Sequence, residues 1–465
     1  MQLREATRCR TGRGSSLRAK PASLLARASA RVKHSCVMRV HLLAAAFLFG
    51  CLAVEAAPLD RIERPPAGWR GPVFQPRFDF PRMVHREAHP WSTVSFRKEP
   101  ERYLRLLLAY ALEGHDRTDW RLVSNKTRRW YHVPWLGPGA AGREFIHGLT
   151  RVRDFVPGEL AAAQTACRQN WTLAFYNDLG GAVLGKIWGR GRRDPNLDAL
   201  PFPEGTVAVK LVFTEATPTD DPKLVSAPEL RANIHTDSKP NDAVCAPLID
   251  DANRPAPRAP QTLRLIQVDL AVRENRASYK TGWVYGSFRY DGTMPGQDPW
   301  TKLTPLGLMW GNDPQLTDSD AANGTKPRQS ILFEAGKGFG RGGRMNGIAD
   351  ERASACSSCH MAAQWPTVAP MKAPSNWADA KCWFRNLDAR YTFGFPPGLK
   401  GGCADTTALE KARALDFSLQ LAIALRNWSL ERARTEKPIH TAIGKLKRDG
   451  TKLTIDGLES VDLKQ

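Results

Sequence analysis

Cys356 and Cys359 stand three residues apart and His360 follows at once, in the run Ala355-Cys356-Ser357-Ser358-Cys359-His360. Two thiols at this spacing can each form a thioether to a porphyrin vinyl group, and the imidazole next in sequence then lies beneath the iron as proximal ligand. The motif therefore predicts one covalently bound haem c, attached through Cys356 and Cys359 and ligated by His360. Covalent attachment keeps such a cofactor from being lost outside the cytoplasm. Without the histidine, the same pair could be a redox dithiol or half of a zinc site. A dithiol belongs in a thioredoxin-like βαβ pattern, which the sequence lacks. Nor does a second Cys/His pair at finger spacing accompany the motif, so zinc competes poorly.

The sixth coordination position decides what such a haem does. A methionine there raises the potential and blocks small ligands. The chain has no methionine after Met371, and Met361 adjoins the proximal histidine and cannot easily reach the opposite side. Met371, Met345, Met309 and His132 are the candidates for that position. An open distal side is the alternative, and each lone candidate has ordinary packing as its competing explanation.

Several features point to export. The apolar run Leu42 to Val54 is too short to cross a bilayer. With Met38-Arg39 before it and Val54-Glu55-Ala56 after it, the run has the three-part layout of a secretory signal peptide over 38–56, in a leader covering 1–57. Residues 1–37 are basic and aperiodic, so translation from Met38 is the simplest expectation, with a transit-like extension as the alternative. Leu48-Phe49-Gly50-Cys51 loosely matches a lipoprotein box, but Phe49 is bulky for its position, which favours a soluble periplasmic product. Loss of the leader takes the net charge from +20 to +12, a field suited to acidic partners or an anionic surface. Export and the scatter of basic residues exclude nucleic acid as the expected partner. A redox protein or a small-molecule ligand remains. Cys9, Cys36 and Cys51 leave with the leader, and Cys167, Cys245, Cys382 and Cys403 stay as an even set for an oxidising compartment. Three pairings are possible. Cys382 with Cys403 closes a short Gly/Pro-containing loop, which leaves Cys167 for Cys245.

The elements that must position the motif are mixed. Tyr103 to Leu112 reads as a short buried helix within Pro/Gly-punctuated loops. Thr206 to Thr214 alternates Val207, Val209, Leu211 and Phe213 against Thr206, Ala208, Lys210 and Val212, a strand covered on both sides. Leu265 to Val272 and Trp283 to Tyr290 read as an antiparallel hairpin. Thr407 to Thr435 reads as the best helix of the chain, with Leu409, Ala412, Leu415, Leu419, Ala422 and Ile423 at helical spacing. Lys445 to Gln465 reads as a strand-turn-strand tail. The expected fold is α+β: a loop-rich N-terminal region (58–160), a haem-binding domain built on a twisted antiparallel sheet (161–372) and a helical C-terminal region (373–465).

A family resemblance rests on Phe202-Pro203-Glu204-Gly205-Thr206-Val207-Ala208-Val209-Lys210, on Gly282 to Phe288 with Asp291-Gly292, and on the late C-X-X-C-H. More weakly, Asn170 to Tyr176 is similar to the helix-to-strand approach of the same family. Across residues 160–370 the chain resembles cytochrome P-460 and its relative cytochrome c-prime-beta, β-sheet haem proteins. The resemblance implies that Lys210 falls on the lysine that in cytochrome P-460 is cross-linked to the haem, where the iron oxidises hydroxylamine or nitric oxide. Lys210 could equally snorkel to the haem edge or pair with a propionate.

Two functions follow as expectations. One is electron transfer by an exported monohaem cytochrome. The other is oxidation or sensing of small nitrogen species at an open iron, with Lys210 near the haem edge. A haem-independent adhesion or structural role would require the motif to be accidental.

Overall fold

In a computed structural model of the chain, the described residues are 61–84, 89–137, 142–189, 194–236, 245, 257–277, 281–367, 382–387, 412–435, 447–449, 452–454 and 461–462. The leader expected over 1–57 lies outside them, as do Met371 and Cys403. Most described strands join one nine-stranded antiparallel sheet, and helices are few, so the fold is α+β.

The sheet takes in β1 (Tyr131–His132), β2 (Thr150–Arg151), β3 (Asn170–Tyr176), β4 (Val207–Thr214), β5 (Glu229–His235), β6 (Arg258–Arg273), β7 (Trp283–Tyr290), β8 (Leu303–Met309) and β9 (Ser330–Leu332). Its order is β1-β3-β4-β6-β7-β8-β9, with β2 also paired to β3 and β5 to β6. The expected hairpin is β6 and β7, and the expected doubly covered strand is β4. Asn170 to Tyr176 is strand throughout and leads into a helix, the reverse of the approach that the resemblance suggested.

Pleating sends alternate side chains of each strand to opposite faces, and the two faces carry separate cores. On one, Val207, Val209, Leu211 and Phe213 of β4 are fully buried with Leu173, Phe175, Leu270, Val272 and Phe288. Each such side chain contributes roughly 1.5–3 kcal/mol by leaving water. Helix α1 (Pro100–Leu112) covers this face, burying Tyr103, Leu104, Leu107 and Leu108. It packs so closely that a Cβ on Gly286 of β7 would lie 2.2 Å from Leu104 Cδ2. The other face is built from smaller residues, Ala174, Ala208 and Ala271, beside Tyr176, Trp283, Tyr285 and Met309. Against it pack α2 (Asp178–Trp188), through Val183, Leu184 and Ile187, and a C-terminal helix, through Leu421, Ala422, Ala424 and Leu425. Between α2 and that last helix lie α3 (Asp318–Ala322) and the short α4 (Cys356–Met361). A positive φ of 84° at Gly205 turns the chain into β4, where a Cβ would meet His89 Nε2 at 2.2 Å. That turn matters because a one-residue slip of β4 would send Lys210 to the wrong face.

The C-terminal helix corrects the sequence expectation. It begins at Leu419, not near Thr407, and runs to Thr435 as α5. Arg413–Ala414 is instead a strand, β11, paired with β10 (Gln364–Trp365) just after the motif helix. Asp416 and Phe417 then take left-handed backbone, with φ of 46° and 65°, which an α-helix cannot contain. Ser418 starts the helix, its hydroxyl accepting the Leu421 amide at 3.1 Å. Leu415 is buried without being helical and Ile423 points outward, 40% exposed. In the tail, β12 (Lys447–Asp449), β13 (Lys452–Thr454) and β14 (Val461–Asp462) form a small antiparallel sheet.

Cys167 and Cys245 are disulfide-bonded across 78 residues, as one of the expected pairings requires. Cys382 is also disulfide-bonded, while its expected partner Cys403 lies outside the described residues. Replacing Cys167 and Cys245 together by alanine should lower unfolding free energy by about 2–4 kcal/mol, since the bridge closes a long loop. Guanidinium denaturation of the oxidised protein measures this, and an unchanged midpoint would show that the bridge does not restrain the unfolded chain.

Candidate functional site

Helix α4 sets out the motif. At i, i+3 and i+4, Cys356, Cys359 and His360 share one helical face, and all three keep partial solvent access while Ser357 and Ser358 are buried. The helix is held from below by sulfur and hydroxyl groups. The Ser357 amide donates to Met309 Sδ at 3.4 Å, and the Cys356 amide donates to the Met345 carbonyl at 3.2 Å. Ser354 Oγ lies 2.8 Å from Cys359 Sγ and accepts the Trp383 indole N–H at 2.8 Å. Neither thiol is bonded to another sulfur. Burial pushes the Cys356 thiol well above its usual range and the Cys359 thiol up to about 12, the latter despite the Ser354 hydrogen bond. Both shifts favour the protonated thiol at neutral pH, a poor state for a thiolate redox pair.

His360 is oriented from the far end of the chain. Its Nδ1 lies 2.8 Å from the Phe417 carbonyl, which can only accept, so Nδ1 carries the proton and Nε2 keeps its lone pair. Tyr285 of β7 packs beside the imidazole with ring centroids 4.7 Å apart. Burial pulls the imidazole down to about 4, against the pull of the Phe417 hydrogen bond, so the ring is neutral at pH 7. A neutral imidazole with a fixed tautomer is the form that binds a metal.

Lys210 lies in a row of cross-strand neighbours, Ala174, Lys210, Asp269, Ser287 and Gly307, on the small-residue face. Its Nζ is 3.1 Å from Asp269 Oδ2 and 3.1 Å from Asp350 Oδ1. Gln267 Nε2 donates to both carboxylates at 2.7–3.1 Å, and the Ser287 hydroxyl donates to Asp269 at 2.7 Å. Burial alone would lower the lysine, but Asp350 and Asp269 outweigh it and hold the ammonium above its usual range. Burial raises Asp269, with Lys210 opposing, whereas at Asp350 the ammonium wins over burial and the carboxyl is lowered. Asp350 precedes the motif by six residues, and the Lys210 charge reaches Cys356, Cys359 and His360. Lys210 is thus tied to the segment that leads into the motif through Asp350.

The other expected ligands are placed elsewhere. Met309 and Met345 are buried supports of α4, Met345 Sδ lying 3.9 Å from Cys356 Sγ. Met361 Sδ accepts from the Leu387 amide at 3.4 Å and from Asn312. His132 packs against Phe74 and Phe78, and its Nδ1 accepts the Arg77 amide at 2.9 Å. Its buried Nε2 has no hydrogen-bond partner and lines a small cavity with Trp120 and His147. Sequence reasoning missed Asp269, Asp350, Gln267, Tyr285 and Phe417. Asp269 had a signal, a carboxylate between Val268 and Leu270 in an apolar strand. Phe417 had none, because only its backbone oxygen is used.

With this geometry established, no family model, curated protein or solved structure matches the chain.

Lys210→Met should destabilise the protein by on the order of 3 kcal/mol at pH 7, because it strands two withdrawn carboxylates. Both acids in the variant titrate above their unfolded value, so the folded state binds more protons and gains stability as pH falls towards that value. The deficit relative to the parent should therefore shrink between pH 7 and pH 5 in urea melts. A deficit that is constant or grows on acidification would show that the carboxylates do not depend on Lys210.

Proposed function

We propose that this chain is an exported c-type cytochrome, with one haem attached through Cys356 and Cys359, His360 as proximal ligand, and electron transfer as its role. The observation that carries the reading is the His360 Nδ1 contact of 2.8 Å to the Phe417 carbonyl, beside two thiols that have no disulfide partner. A hydrogen bond that fixes the ring through its other nitrogen is what a metal-ligating imidazole requires and what an incidental surface histidine lacks. Small side chains beside the motif support the reading. Ala208 and Ala271 retain 8% and 9% exposure where their neighbours Val207 and Val209 retain none, and the Lys210 side chain is 28% exposed. Small residues beside the motif leave room that larger ones would fill.

A bound haem would supply one-electron chemistry at iron. The chain's own residues do the rest. The Phe417 carbonyl fixes the imidazole, Tyr285 restricts its rotation, and Lys210 is held beside the motif by Asp269 and Asp350. Disulfide bonding at Cys167, Cys245 and Cys382 suits an oxidising compartment such as the periplasm. Among the described residues, no helix is long and apolar enough to cross a membrane.

A second reading, oxidation or sensing of hydroxylamine or nitric oxide, is favoured by the Lys210–Asp269–Asp350 cluster beside the motif. The resemblance to cytochrome P-460 and cytochrome c-prime-beta points the same way. The sulfurs of Met309, Met345 and Met361 are all engaged as acceptors or in packing, which leaves an open iron as the simplest arrangement among the described residues. The ion pairs favour an uncross-linked Lys210, since an ammonium between two carboxylates is not nucleophilic.

Expression with export in a haem-ligating host should give coloured protein whose mass exceeds the polypeptide by one haem. Cys356→Ala with Cys359→Ala should lose that increment. Colourless parent protein of polypeptide mass would end the cytochrome reading. Addition of nitric oxide then separates the two roles: an unchanged six-coordinate spectrum supports electron transfer, and a new nitrosyl spectrum supports the open iron.

A further inference from the structure

Asp416 and Phe417 occupy the left-handed region, which a short polar residue such as Asp416 tolerates and a bulky one such as Phe417 does not. A bulky residue keeps such backbone only where the surroundings over-determine it. Here the surroundings can be named. Asp416 is 1% exposed, and its carboxylate accepts the Phe202 amide at 2.7 Å and the Trp283 indole N–H at 3.1 Å. Arg273 Nη1 lies 3.9 Å from the same group. On the other side of Phe417, the Ser418 hydroxyl is 2.9 Å from the Tyr176 hydroxyl. Upstream, the Leu415 amide donates to the Ala363 carbonyl at 3.1 Å. Phe417 is thus pinned on both flanks to the small-residue face, and the one polar atom it presents to the motif is the carbonyl that accepts from His360 Nδ1. Strain that would relax by peptide rotation is held so that this oxygen keeps its place.

We propose that Asp416 is the positioning residue for His360. By clamping the strained Phe417 peptide to β7 and to the turn before β4, it fixes the tautomer and rotation of the imidazole, and so sets how strongly Nε2 donates to a haem iron. The inference rests on the haem reading above. A hydrogen bond from Nδ1–H to a fixed carbonyl makes Nε2 a stronger donor, which favours the ferric state. Weakening it should raise the midpoint potential.

The test uses the full-length, haem-loaded protein. Asp416→Asn keeps the shape but turns an amide NH2 towards one of the two N–H donors, so that clamp is lost. The midpoint potential should rise, and the hyperfine-shifted Nδ1–H proton of His360 should exchange with solvent about tenfold faster. Trp283→Phe removes one of the clamping hydrogen bonds while keeping an aromatic ring at the site and should move both readouts the same way by less, which decides the matter if Asp416→Asn does not fold. A loaded, folded variant with parental potential and parental Nδ1–H exchange overturns the positioning role and leaves the haem reading intact. A parent protein that acquires no haem overturns the haem reading itself.

Discussion

One ammonium serves two carboxylates in the middle of this protein, and the arrangement around the motif depends on that balance. Charges withdrawn from water are tolerated only when paired and hydrogen-bonded. Lys210 comes from β4, Asp269 from β6 and Asp350 from the segment leading into α4. Satisfying all three groups forces the approach to the motif against one row of the sheet. Gln267 extends the tie, since its carbonyl oxygen accepts the Ala349 amide at 2.7 Å while its amide serves both acids. The cluster is therefore a join between sheet and motif helix as well as a feature of the site.

A second join reaches the same helix from the opposite direction in sequence. Residues just after His360 pair with residues just before Asp416, through Gln364 with Ala414 and Trp365 with Arg413. The chain then turns sharply and presents a backbone oxygen to the imidazole. The histidine is thus held between an ion-pair network that precedes it and a strained peptide that follows it by 57 residues. Both devices act on backbone position, so neither needs an unusual side chain at the motif itself.

This division explains what could be read from the sequence. Alternation in β4 announced a strand, because an apolar side chain on each face is itself the cause of the strand. The motif was legible for a similar reason, since thioether chemistry fixes a spacing. The stretch before α5 misled because Ala412 and Leu415 continue the helical period by coincidence, while residues 407–411 of that expected helix lie outside the described residues. Leu415 is buried for another reason, as part of the connection that delivers Phe417. Asp350 could not be found from its neighbours, as its partners come from strands 140 and 81 residues away. Burial of a charge is a tertiary fact, and the local pattern around Asp350 is that of an ordinary polar turn.

The distance in sequence between His360 and its carbonyl partner has a consequence for how the molecule matures. A ribosome finishes the Cys-X-X-Cys-His run well before it makes Phe417, so the motif exists for a time as free thiols and an untethered ring. Docking of the C-terminal connection then acts as a latch, converting a rotatable imidazole into one of defined direction. A fragment ending before residue 412 would still carry the complete Cys-X-X-Cys-His run, yet its histidine would have lost the oxygen that aims it.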